Sequence, residues 1–270
     1  ALPTAQFAAI TTALVVSLTT GQLVALTAAQ VTALTTAQAG ALVTAQVAAL
    51  TTAQVATLQT DDLQALTTTQ LGALSSSQIA ALLPGQVAAF TTQQAQALAS
   101  SQVAALVSAQ VAALETTDLQ VLTTAQVTAF ETRDLQVLNS AQLTVLTTAQ
   151  LTALTTFQLA ALDAAQIAKL TTGQAAVLTT AQVAALTTLQ VASLTSAQLP
   201  ALTTAQVVAL TSLQVQALTV RQVADLTTGQ AQVLTTAQLR ALNTTQARAV
   251  ETADLRALTT AQIQALDTAN

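Results

Sequence analysis

From Leu2 to Leu266 the chain advances in 33 steps of eight residues without one insertion or deletion. A spacing held that strictly suits folds in which each unit is placed on the last by one repeated operation. With the octad lettered a to h, the consensus is Leu-Thr-Thr-Ala-Gln-Val-Ala-Ala. Position a is Leu at 30 of 34 occurrences, the exceptions being Ile10, Phe90, Phe130 and Val250. Position e is Gln at 28 of 34, replaced by Leu14, Asp62, Asp118, Asp134, Asp254 and Asn270. Position f is aliphatic or Ala throughout, apart from Phe7, and h is mostly Ala.

The main apolar positions, f and a, lie three residues apart, as in Val47 and Leu50. That spacing puts both on one side of a helix and does not fit the alternation of a strand. One unbroken helix fails on geometry. Eight residues at about 100° each turn through about 800°, so the apolar pair would drift by about 80° per octad. Pro84 at c and Pro200 at g would also damage a continuous helix. The remaining solution is one short helical segment per octad, followed by a turn.

Local chemistry supports that division. Thr at b with Gln three residues later is the capping-box pattern, in which each side chain serves the other residue's backbone N–H. Pro84 then falls at the first helical position, where proline is favoured. Asn139, Asp163, Asn243 and Asp267 at b are good caps. Val43, Leu83, Ala99 and Val107 are not, and Thr44, Ser100 and Ser108 at the next position are expected to take over in three of these octads. Pro200 fits only a segment barely one turn long. A helix of about six residues does not persist alone, so stability must come from neighbours.

The expected fold is therefore all-α: a tightly wound solenoid of short helices, one per octad, with residues 1–270 forming a single continuous array. Leu at a and the residue at f should line the core, and Ala at h should let backbones approach closely. Positions c, d and g should face water, since they accept Arg133, Arg221, Phe157, Leu189 and Arg240. No 16- or 24-residue superperiod is visible, so the number of octads per turn is left open. The start and stop in mid-repeat, without an initiator Met, suggest a fragment or processed portion of a longer chain.

Composition narrows the chemistry. Apolar residues make up 52%, too many for a chain that stays unfolded for want of burial, while charged residues are only 6%. The net charge is −5, and the clustered positive charge needed for a nucleic-acid partner is missing. Arg240, Arg248 and Arg256 recur at eight-residue spacing and are read as a solvated face. Without Cys, His, Met, Trp or Tyr there is no thiolate or imidazole metal site. Thr or Gln interrupts the apolar residues every few positions, so no membrane span is expected.

The wording Leu-Thr-Thr-Ala-Gln, carried at residues 34–38, 50–54, 146–150 and 178–182, resembles tandem arrays in very large bacterial surface proteins described as adhesin-like or haem-utilisation-like. The resemblance covers the whole chain. It implies an exported, extracellular or cell-surface protein with no enzymatic activity, capable of self-association into fibres, and it supplies no haem site. A shorter likeness, Leu-Thr-x-x-Gln-Val-x-Ala-Leu, opens the repeats of transcription-activator-like effectors. Those repeats are far longer and basic, and their base-reading loop has no counterpart here.

Four octads depart together from consensus: those with Asp62, Asp118, Asp134 and Asp254, three of which carry Glu115, Glu131 or Glu251 at b. Glu115, Asp118, Glu131 and Asp134 are weak candidates for holding Ca²⁺, which prefers several oxygens. Helix capping explains the same residues without a metal, because acids suit a helix N-terminus. No catalytic residues and no cofactor are expected. The function this implies is a structural scaffold, a stalk, spacer or fibre-forming segment. The alternative is a binding module using a repetitive Thr/Gln-rich face for ice, glycan or protein. Leu14 marks an atypical octad, suited either to ending a core or to meeting a neighbour.

Overall fold

The computed structural model describes residues 3–267 and contains, among them, 33 short helices from α1 (Thr4–Ala8) to α33 (Thr260–Asp267), one per octad. The expected fold class is what the structure shows. Leu2 at a and Asn270 at e lie outside the described residues, as does the side chain of Asp267. The fold divides into two compact units, Ala1–Leu138 and Asn139–Asn270, and the octad phase of the sequence runs through both.

A representative octad shows how the chain turns. In α7 (Thr52–Thr57) the N-cap Thr51 is extended, with φ −72° and ψ 159°, and so is the C-cap Leu58, with φ −60° and ψ 138°. Two extended residues, a and b, therefore join successive helices. The Leu58 N–H donates to the Val55 carbonyl at 3.2 Å, closing the segment with a tight three-residue bond. Among the described residues no backbone φ is positive. The connection thus makes no demand for glycine, and any octad can be followed by another.

Within each unit, helices pack against those three octads further along, as α5 (Thr36–Ala41) does on α8 (Thr60–Ala65). Side-chain hydrogen bonds reach four octads back, 28–31 residues away, as described below. One turn of the winding therefore takes between three and four octads. Close approach is visible at Gly40, where an added Cβ would stand 3.0 Å from the Ala65 carbonyl oxygen and 3.4 Å from the Ala65 Cβ. The crossing tolerates only small residues at g and h there.

Core and surface follow the lettering. The f column is buried from Phe7 to Leu239 and the a column from Leu34 to Leu242. Burying an aliphatic side chain of this size contributes about 1.5–3 kcal/mol, which is what holds together helices of 4 to 8 residues. Positions c and d face water, to the point that Phe157, Leu189 and Leu213 at d are 83%, 69% and 69% exposed. Pro84 occupies the first position of α11 (Pro84–Ala88). Around Pro200 the segment shortens to α25 (Gln198–Ala201), and Ser196–Ala197 form only a turn. Proline has no N–H to donate to the carbonyl four residues back, so the first turn is lost while Leu199 and Leu202 stay buried.

One local expectation is corrected. Thr44, Ser100 and Ser108 do not take over as caps: the N-caps remain Val43, Ala99 and Val107, with no side-chain cap bond. The helix start is fixed from the other side. Gln46, Gln102 and Gln110 still accept the backbone N–H of position b through Oε1, at 2.9, 2.9 and 2.8 Å. The register of the array outweighs the missing hydroxyl.

Candidate functional site

The most specific polar arrangement is the Gln at position e. In α7, Gln54 Oε1 accepts the Thr51 N–H at 2.9 Å and the Gln54 N–H donates to Thr51 Oγ1 at 3.1 Å, completing the capping box. The other end of the same side chain leaves the octad. Gln54 Nε2 donates to the carbonyls of Leu23, Val24 and Leu26, at 2.9, 3.2 and 3.0 Å. These carbonyls end α3 (Thr20–Val24), four octads earlier. Helix C-termini leave carbonyls without intrahelical partners, so one amide closes the start of its own helix and the end of another.

The pattern recurs along both units. Gln94 reaches Leu63, Gln64 and Leu66; Gln182 reaches Leu151, Thr152 and Leu154; Gln238 reaches Val207, Val208 and Leu210. The e side chains are buried from Gln30 to Gln262, whereas Gln6, Leu14 and Gln22 are exposed. The sequence shows the capping half of this role. It misses the long-range half, because a partner 28–31 residues away leaves no local spacing. One signal was present: b accepts Thr, Ser, Asn, Asp, Val, Leu, Ala, Gln or Glu, while e is almost always Gln. A residue needed only for capping would not be the stricter of the two.

Burial of this column corrects the idea of an exposed Thr/Gln face: Gln at e presents nothing to solvent. The Arg column is not one patch either. Arg240, Arg248 and Arg256 are exposed, but consecutive octads differ by a quarter to a third of a turn, which spreads them around the winding.

The four acidic octads solve the loss of the amide differently. In α8, Asp62 is buried, and Gln59 at b donates through Nε2 to the Thr32 carbonyl at 2.8 Å, replacing part of the missing contact. Burial raises the Asp62 pKa, while the Thr36 hydroxyl and the Gln59 backbone oppose the shift. In α17 (Thr132–Gln136), Asp134 Oδ2 accepts the Glu131 N–H at 3.1 Å, and Asp134 Oδ1 accepts from Ser108 Oγ at 2.8 Å. Arg133 pairs with exposed Glu131 at 2.8 Å. In α32 (Thr252–Ala257), Asp254 Oδ1 accepts from Thr228 Oγ1 at 2.8 Å. In α15 (Thr116–Val121), Asp118 is 1% exposed and neither carboxylate oxygen has a partner. Its pKa is raised to about 6, first by burial and then by the Glu115 charge.

Capping therefore describes Asp134 at e, and it does not describe Asp118 or the Glu side chains at b, none of which makes a cap bond. The Ca²⁺ candidates are not brought together. Glu115 and Asp118 lie two octads from Glu131 and Asp134, and among the described residues no group of three or more acidic side chains is placed to hold a metal ion. Phe157, Leu189 and Leu213 form a different feature. They share position d on α20 (Thr156–Ala161), α24 (Thr188–Ser193) and α27 (Ser212–Gln216), four and three octads apart, and so stand on adjacent turns.

A family model described as ALTTAQ repeat matches residues 15–52, 55–92, 127–164, 158–188, 191–228 and 247–270. The chain belongs to the ALTTAQ repeat family. Between the matched stretches, residues 93–126 and 229–246 keep the same octad and the same one-helix-per-octad structure. The ALTTAQ wording thus contains the whole device: a at the core, Thr at the cap, and Gln linking two helices. No curated protein and no solved structure matches the chain. Among the described residues, no helix is long and apolar enough to cross a membrane.

Proposed function

We propose that this ALTTAQ array is a non-enzymatic structural scaffold, a stalk, spacer or fibre-forming segment of a bacterial surface or secreted protein. The observation that carries the reading is the inward use of the Gln column. The most invariant polar side chain of the repeat holds helices of the same chain together, and each octad supports its neighbours in the same way. Such a unit is suited to being added or removed without redesign. The likeness of its wording to arrays in large bacterial surface proteins supports the location.

Self-association is part of the proposal and is supported by the exposed stripe of Phe157, Leu189 and Leu213. Apolar side chains aligned on adjacent turns favour lateral contact between copies. The deciding experiment is a series of chains lacking or duplicating whole octads, measured by solution scattering for length and by surface display for attachment. A spacer changes length in even steps and keeps attachment. Loss of attachment confined to one group of octads would replace the scaffold reading with a localised binding site.

A further inference from the structure

Position 118 is where the repeat puts an acid in the place of its linking amide and supplies no substitute. By register, a Gln there would donate to the carbonyls 28, 30 and 31 residues earlier, those of Phe90, Ala88 and Val87 at the end of α11. The neighbouring amides do so: Gln110 donates to Leu82, Ala80 and Ile79, and Gln126 to Leu98, Gln96 and Ala95. In the other acidic octads the loss is offset. Gln59 supplies an amide to Thr32, and Ser108 and Thr228 hydroxyls donate to Asp134 and Asp254. At 118 the residue at b is Glu115, which carries no amide, and Thr92, the counterpart of Ser108 and Thr228, makes no bond to Asp118. Two carboxylate oxygens are thus buried where the fold calls for a donor. A carboxylate is acceptor-only, whereas a carboxylic acid has one O–H to give.

We propose that the Asp118 carboxyl is held protonated in the folded array, where its O–H closes the carbonyl end of α11 in place of the glutamine amide, and that this joint loosens when the proton leaves. The surroundings favour the neutral form. The elements around the carboxyl, α11, α12 (Thr92–Ala97), α14 (Ser108–Ala113) and α16 (Thr124–Val127), contain no ionisable side chain. Glu115 is the one charged group on α15 besides Asp118, and it repels a second negative charge. No Lys or Arg precedes Arg133, and no ionisable residue lies between Asp62 and Glu115 or between Asp134 and Asp163.

The sign of the pH effect follows from linkage. The folded pKa lies above the ordinary value, about 6 against 3.8, so the folded chain binds more protons than the unfolded chain between these values. Stability at this joint is greatest below the lower value, falls as pH rises through the window, and stays low above the upper one. Each pKa unit is tenfold, so opening of the joint should increase about ten- to a hundredfold across the window. The array would then have one place, between α11 and α15, that gives way first as the medium turns from acid to neutral.

The test uses the full chain. Carbon NMR of labelled aspartate, assigned with Asp118→Asn, follows the Asp118 carboxyl. Amide exchange in α11 and α15, corrected for intrinsic rates, follows the joint at about pH 4.5 and about pH 7.5. The carboxyl should titrate near 6, and protection should fall with rising pH. Asp118→Gln restores the consensus amide and should stay protected at both pH values, as should Asp118→Asn, which also offers a donor. Asp118→Ala should be poorly protected at both. Titration near the ordinary aspartate value, an unchanged pH dependence in Asp118→Gln, or full protection of Asp118→Ala at low pH would each overturn the proposal.

Discussion

A buried amide with both ends in use is a demanding residue, and position e should be the least replaceable polar position of the octad. Gln182 illustrates this: its Oε1 accepts the Thr179 N–H at 2.8 Å, and its Nε2 donates to the Leu151 and Leu154 carbonyls at 2.9 and 2.8 Å. Gln182→Ala leaves the Thr179 N–H and a helix C-terminus without partners, and each buried unsatisfied group costs about 1–3 kcal/mol. Thr179→Ala removes one cap bond and should cost about 1 kcal/mol. Denaturant unfolding of the two variants should rank them in that order, and equal losses would mean that the long-range bonds contribute nothing. The core column gives a second comparison. Leu146→Ala should cost about 2–5 kcal/mol, as buried leucine truncations do, whereas Thr148→Ala, at an exposed c position, should cost far less.

A single octad is a cap, about one and a half turns of helix, and two extended residues. This much was legible in the sequence: the f-to-a spacing identified the helix, the Thr–Gln pair its start, and Pro84 its first position. What was not legible depends on partners. Val43 and Val107 looked like failed caps because the sequence shows only the missing hydroxyl, while the amide that fixes the helix start is equally occupied elsewhere. Asp118 and Asp134 looked alike, yet Ser108 reaches Asp134 while Thr92 leaves Asp118 without a donor. Pro200 marks the limit of what one element can absorb. Pro200→Ala should restore an N–H to the first turn, so that the helix begins at Ser196 rather than Gln198. Slower exchange of the amide at 200 than of the exposed turn amides at 196 and 197 would show it; exchange as fast as theirs would mean that something other than proline shortens α25.

At the scale of the whole chain, equivalence of octads becomes a testable property. Removing Leu146 through Ala153 moves the following octads back by one unit and gives each a new partner of the same kind, so folding should survive. Removing four residues brings Leu into position e and exposes the core column of the units that follow, so cooperative unfolding and helical circular dichroism should both suffer. Replacing Phe157, Leu189 and Leu213 together by Ser should leave the fold intact and reduce concentration-dependent association seen by light scattering. The missing superperiod also has a reason here. With between three and four octads to a turn, no octad stands squarely over another, so columns cannot specialise at a whole-number spacing. The linking amides add a direction. Each reaches toward the N-terminal side, to carbonyls 28–31 residues older in the chain. A chain emerging from the ribosome therefore meets its acceptors already laid down, and a new octad can lock in place without waiting for anything still to be made. Growth by accretion, one octad behind the exit site, is a way to build a long regular protein while keeping few apolar faces open to its neighbours.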